Sequence, residues 1–140
     1  MKKLIYTLLI IIALTNNSFS AGDSNTTAKA SDYTKAKNLI NAAKKYEKKG
    51  KIDKAQERYA KAQKLLLKSN EIKPLQADTL NYLGFTTRKL GDYEKGEKFY
   101  LLGLQVEPNH NGINEYLGEL YVATNRMDMA KERLEVLKTC

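Results

Sequence analysis

The sequence predicts an all-α protein built as a stack of helical hairpins, and three observations carry that expectation. From about residue 33 onward, apolar and small residues recur at three- and four-residue spacing, which places them on one face of a helix. Glycine, proline and asparagine interrupt this pattern at intervals that leave six amphipathic segments. The same residue types then return at a fixed offset: 34 residues after Leu83-Gly84 stand Leu117-Gly118, and 41 residues before Gly91, Tyr93, Gly96 and Tyr100 stand Gly50, Ile52, Ala55 and Tyr59. No stretch reads as a strand.

Residues 1–20 have the pattern of a secretory leader. Lys2-Lys3 precede an apolar run from Leu4 to Leu14, and the small residues Ser18 and Ser20 suit cleavage between Ser20 and Ala21. The apolar run is well short of the roughly 20 residues that span a bilayer, so a cleaved leader is expected rather than an uncleaved anchor. A periplasmic or secreted location follows. Residues 21–32 are small and polar with nothing to bury, which predicts a disordered linker, and Ser31 or Asp32 is placed to cap the first helix.

The helical domain is expected over 33–140, with helices at about 33–49, 52–72, 78–90, 93–106, 111–124 and 127–138. These pair into repeats of about 36–76, 77–110 and 111–140. The central pair is the clearest. Leu80, Leu83, Gly84, Thr87 and Leu90 share a face until Gly91-Asp92 breaks it; Tyr93, Gly96, Phe99, Tyr100 and Gly103 then form a second face, ended by Pro108. Upstream the offset is 41 rather than 34, and the extra seven residues are about two turns at 3.6 residues each. The second helix of the first pair is therefore expected to run long, towards Pro74. Gly84 and Gly96 each cost roughly 1 kcal/mol relative to alanine within a helix, and close approach of two helix backbones is the expected compensation. Gly84→Leu or Gly118→Leu is expected to overpack a close helix contact and to cost about 1 to 3 kcal/mol.

Residues 77–110 resemble the tetratricopeptide repeat, a helix–turn–helix unit of 34 residues with the pattern W-x2-L-G-x2-Y, then A-x3-F, then P. Leu83-Gly84, Tyr100 and Pro108 match the Leu-Gly pair, the late aromatic and the proline; Leu80, Thr87 and Gly96 replace the Trp, the Tyr and the Ala. In the next copy Tyr121 restores the Tyr, and Ala130 and Leu134 fall at the Ala and the aromatic. The resemblance implies a right-handed superhelical stack of about three repeats, whose first helices line a concave groove that takes a protein or peptide. Carried onto this chain, the groove positions are Lys37, Ile40, Lys44, Glu47 and Lys48, then Asp78, Asn81, Phe85, Arg88 and Lys89, then Gly112, Glu115, Glu119, Val122 and Ala123. Phe85, not needed for packing within its hairpin, is either the anchor for a partner or a ring buried against the neighbouring first helix. Residues such as Ile40 and Tyr82 occupy places where some family members use polar groups to hold a partner's C-terminal carboxylate, so that mode is disfavoured.

Charge is unevenly spread. The whole chain carries a formal +8, but residues 29–73 hold fourteen basic against five acidic residues, while 77–140 hold eight against ten. A solvated lysine-rich face accounts for this; the functional alternative is a first repeat that docks on an anionic membrane or cell-wall surface. Nucleic acid is not expected as a partner, because no aromatic residues interleave the basic face for base stacking.

Nothing in the sequence points to catalysis or a cofactor. His110 is the only histidine and Cys140 the only cysteine, so one chain cannot assemble a histidine–thiolate metal site, and the repeat places His110 in an exposed turn. No phosphate-binding glycine loop is present. The expected function is a non-enzymatic adaptor in envelope assembly or secretion. At the end of the chain, the last helix carries Met127, Ala130, Leu134 and Leu137 on one face. Its outward side is expected to engage a second copy, or failing that another partner, through Leu134 and Leu137, with Cys140 beside them either as an intermolecular disulfide or as a terminal thiol with no role.

Overall fold

The computed structural model describes residues 31–139. The leader, most of the expected linker and Cys140 lie outside these residues. Six helices follow one another: α1 (Asp32–Lys48), α2 (Ile52–Ile72), α3 (Ala77–Lys89), α4 (Tyr93–Val106), α5 (Asn111–Ala123) and α6 (Met127–Lys138). Every boundary falls within a residue or so of the sequence expectation. Ser31 is the N-cap of α1, its Oγ accepting from the Thr34 amide at 3.1 Å, and Asp32 is already helical. Among the described residues no helix is long and apolar enough to cross a membrane.

The helices pair as α1–α2, α3–α4 and α5–α6. Each first helix then packs on the preceding hairpin, so that α3 meets α2 and α1, and α5 meets α4 and α3. The hairpin turns are built alike. Gly50 (φ +68°), Gly91 (φ +99°) and Asn125 (φ +59°) take the left-handed conformation just past each first helix, which glycine adopts freely and asparagine more readily than other side chains. The next residue's amide then reaches back to the helix: Lys51 N to Tyr46 O at 2.9 Å, Asp92 N to Thr87 O at 3.1 Å, Arg126 N to Tyr121 O at 2.8 Å.

Small residues set the spacing within each hairpin. In the first, Ala43 faces the layer holding Ala55, both fully buried. At the equivalent place in the second, a Cβ on Gly96 would lie 3.0 Å from the Gly84 carbonyl oxygen, and one on Gly84 would run into the Tyr100 ring at 2.5 to 2.9 Å. Close backbone approach thus accounts for Gly96, whereas Gly84 makes room for the buried Tyr100 ring. Gly118 differs: a Cβ there meets only the Arg133 Cβ at 3.5 Å, an ordinary contact, so an alanine fits there without overpacking. Leu134 stands where Tyr100 does, and it leaves this space open.

Two buried clusters result. One joins α1, α2 and α3 through Ile40, Tyr59, Leu66, Leu80 and Leu83; the other joins α4 and α5 through Tyr100, Ile113, Leu117, Leu120 and Tyr121. The added turns of α2 belong to the first cluster, since Leu66 is fully buried, and beyond it Lys68 Nζ lies 3.4 Å from Asp32 Oδ2 on α1. No residue of α6 is buried.

Candidate partner-binding face

The first helices α1, α3 and α5 lie side by side and enclose a hollow of about 300 Å³, lined by Lys44, Glu47 and Lys48 of α1, Phe85 and Lys89 of α3, and Glu115, Tyr116 and Glu119 of α5. Its floor is aromatic. Phe85 is only 2% exposed and sits between Tyr59 of α2 and Tyr116 of α5, with ring centroids 5.6 Å and 4.8 Å away. Lys44 covers this floor: its ammonium is 4.6 Å from the Phe85 centroid and donates to the Tyr116 hydroxyl at 2.8 Å. A cation over an aromatic face is attracted by the ring quadrupole, so Lys44 is held from below by two rings and a hydroxyl.

Charge pairs between helices form the walls. Lys89 Nζ reaches both oxygens of Glu47 at 3.1 Å, and the Tyr59 hydroxyl donates to the same carboxylate at 2.9 Å. Burial, then the bond to Glu47, pushes the Tyr59 phenol well above its ordinary range. On the other side Arg88 Nη2 donates to Glu119 Oε2 at 2.7 Å. The hollow therefore presents alternating charge, with Lys48 and Glu115 on its exposed rim.

The sequence-derived groove positions divide three ways. Lys44, Lys48, Phe85, Lys89, Glu115 and Glu119 are brought together, with Glu47 beside them. Arg88 joins through its ion pair with Glu119. Ile40 is fully buried and Asn81 is 5% exposed, so neither offers a surface, and Lys37, Asp78, Gly112, Val122 and Ala123 do not line the hollow. Phe85 takes the second of its two readings: it is packing material between neighbouring first helices. The residue missed was Tyr116, which completes the floor. Its spacing on α5, three after Ile113, was the available signal.

His110 is likewise not in an exposed turn. It is the N-cap of α5, where Nδ1 accepts from the Ile113 amide at 3.1 Å while Nε2 faces Asp78 Oδ1 at 3.1 Å, and its side chain is 12% exposed. Since Nδ1 accepts, the ring proton belongs on Nε2, where it bonds Asp78. The ring fastens the start of α5 to the start of α3. Among the described residues no cluster of three or more His, Cys, Asp or Glu is placed to hold a metal ion.

At the far end of the stack, Leu134 is 52% exposed and Val122 54%. With Leu137 and Met127 they line a second cleft, of about 320 Å³.

This architecture is an all-α, tetratricopeptide-like stack of three helix pairs. Comparison with known families agrees: residues 77–110 match the family model described as tetratricopeptide repeat. Among solved structures, a single-residue mutant of MamA is similar over 74% of this chain and 96% of its own, at 17% identity and a TM-score of 0.53. The MamA RS-1 ArsTM double mutant is similar over 74% of this chain and 54% of its own, at 20% identity and a TM-score of 0.50. The second TPR of Spaghetti (RPAP3), solved with an HSP90 peptide, covers 77% of this chain and 94% of its own, at 16% identity and a TM-score of 0.47. No curated protein matches the chain in sequence.

Proposed function

We propose that this chain is an exported, non-enzymatic adaptor that holds a protein or peptide partner against the α1–α3–α5 face, in service of envelope assembly or secretion. The observation that carries the reading is the hollow itself: three helices from three hairpins contribute paired charges over a buried aromatic floor. An extended segment with its own alternating charges is suited to such a surface, because complementary potentials steer encounter and fix register. The leader pattern of residues 1–20 supports export. Lys48→Glu and Glu119→Lys alter the rim and wall while leaving Phe85 in place. Affinity capture from an envelope extract should retain a defined set of proteins with the unaltered chain and lose it with either variant; an unchanged set refutes the assignment of this face.

A second reading rests on a different observation. Lys45, Lys48, Lys49, Lys51, Lys54, Lys61 and Lys64 are all exposed on the first hairpin, and a field of this kind favours an anionic membrane or wall polymer. Lys44 is not part of it, being engaged with Tyr116. Co-sedimentation with phosphatidylglycerol vesicles should fall steeply between low and physiological salt, and should disappear in a Lys45→Glu, Lys48→Glu, Lys49→Glu variant. Binding that persists in that variant removes the tether reading.

A further inference from the structure

Ile72, the last residue of α2, is 73% exposed, which makes it the most open large apolar side chain among the described residues. It stands on the lip of a cleft between the starts of α1 and α3, and the cleft does not cover it. Three residues on, Leu75 is 50% exposed and holds a φ of +56°. The other described non-glycine residue with a left-handed φ is Asn125, a type that adopts it readily, whereas leucine brings its Cβ against the following carbonyl oxygen. The turn after Pro74 thus combines a strained backbone with an apolar side chain held in water. Glycine or asparagine would make the same turn without either cost, and strain retained in this way points to a use for the side chain.

The apolar tip ends a row of positive charge. Lys54, Glu57, Lys61, Lys64, Lys68 and Ile72 follow one another at three- and four-residue spacing along α2, and all are exposed. The row runs about 27 Å at 1.5 Å per residue. Glu57 is taken by Lys61 at 2.6 Å, and Lys68 lies 3.4 Å from Asp32; Lys64 and Lys73 form no ion pair among the described residues. Internal pairing cannot neutralise this hairpin. Residues 31–73 hold thirteen basic against five acidic side chains, so eight positive charges remain even with every acid paired within it.

This combination discriminates between occupants. A protein interface depletes its core of lysine, yet here lysines border the two apolar side chains directly. A second copy would bring the same excess of positive charge against itself. A polyanion would satisfy the lysines and leave Ile72 and Leu75 in water. An anionic bilayer serves both: lysine stems lie along apolar surface while their ammonium groups stay at the phosphates, and the apolar side chains pass between acyl chains.

We infer that the end of α2 is a bilayer-inserting tip, with Ile72 and Leu75 entering the acyl boundary of an anionic membrane while the lysine row of α2 lies along its headgroups. This rests on the tether reading and narrows it from any anionic surface to lipid. The chain contains no tryptophan, so Ile72→Trp gives a single fluorescent reporter. With vesicles containing phosphatidylglycerol, its emission should move to shorter wavelength and be quenched by lipids brominated on the acyl chains. Vesicles of phosphatidylcholine alone should do neither, and Val122→Trp, exposed on α5, should report no change with either. The double variant Ile72→Ser, Leu75→Asn should co-sediment several-fold more weakly with the anionic vesicles at physiological salt, while its melting temperature does not fall, because asparagine accepts the left-handed φ. Co-sedimentation without an emission change, or undiminished in the double variant, would overturn the tip and leave a tether held by charge alone. Absence of co-sedimentation would remove both. An equal shift with phosphatidylcholine alone overturns the inference, as does a shift that grows with protein concentration in the absence of vesicles, which would make a second copy the occupant.

Discussion

Lys44 on α1 donates a hydrogen bond to the Tyr116 hydroxyl on α5 across 72 residues of sequence, passing over the ring of Phe85 on α3. In a regular solenoid each repeat touches only its neighbours, and stability is close to a sum of nearest-neighbour terms. Here the first and third hairpins are tied directly. Tyr116→Phe keeps the ring and removes the hydroxyl, and it should cost about 1 kcal/mol. Because Lys44 and Tyr116 contact each other, a double-mutant cycle with Lys44→Met should give a coupling energy of about 0.5 kcal/mol or more by urea denaturation; additive losses would mean that the bond contributes nothing.

Two glycines at equivalent positions should respond oppositely to one methyl group. Gly84→Ala places its Cβ against the Tyr100 ring, which is fully buried and cannot withdraw, so overpacking should cost about 1 to 3 kcal/mol. Gly118→Ala meets no obstacle, and replacing a helical glycine by alanine should stabilise by about 0.5 to 1 kcal/mol. Melting temperatures measured side by side decide it; movement in the same direction would refute the difference in packing.

Alkaline pH should unfold the protein through its tyrosines. Burial raises the phenols of Tyr33, Tyr59, Tyr82, Tyr100 and Tyr121, with Tyr33 pushed up to about 12. A group whose folded pKa lies above its unfolded value stabilises fully below the unfolded value, near 10 for tyrosine, and loses that contribution as pH rises through the folded value. Absorbance at the tyrosinate band should therefore lag behind that of the urea-unfolded chain between about pH 10 and 12, then rise together with loss of helical circular dichroism. Coincident titration of the folded and unfolded chains would contradict the burial of these rings.

The sixth helix should be the first to open. None of its residues is buried, and its start is held by the bidentate pair of Arg126 with Glu97 and by the Arg126 guanidinium 4.6 Å from the Tyr121 centroid. Lysine cannot reproduce the two parallel bonds. Arg126→Lys should speed hydrogen exchange across residues 127–138 by a factor corresponding to about 1 kcal/mol while leaving α1 to α3 unchanged. Uniform acceleration over the whole chain would show instead that α6 opens only with global unfolding.

Much of the fold was legible because its determinants are local. Helix boundaries follow from glycine, proline and capping residues, and the seven-residue surplus in α2 keeps Leu66 in the register that buries it. The candidate face was less legible. The positions carried over from the resemblance include Lys44, Phe85 and Glu119, which line one hollow, but a repeat position reports direction and not depth. Phe85 and Asn81 are buried because neighbouring first helices close over them, and that closure rests on pairings such as Lys44–Tyr116 and Lys89–Glu47, between residues 72 and 42 positions apart. The role of His110 was hidden for a related reason: an isolated histidine after Pro108-Asn109 reads as a turn until Asp78 is seen beside it.

The three matching hairpin turns give the molecule one edge that can be lengthened and one that cannot. Gly50 and Gly91 have open space where a side chain would project, and Asn125 is exposed, so a spliced loop, epitope or second domain at any of these tips would disturb little beyond the turn itself. The opposite edge is more constrained. Leu75 holds a left-handed φ of +56° after Pro74, and the segment from 108 to 110 is fastened to Asn114, Ile113 and Asp78. An insertion there would cut the seams between hairpins, whereas one at residue 50, 91 or 125 would give each hairpin its own outlet for added sequence while the stack behind it stays whole.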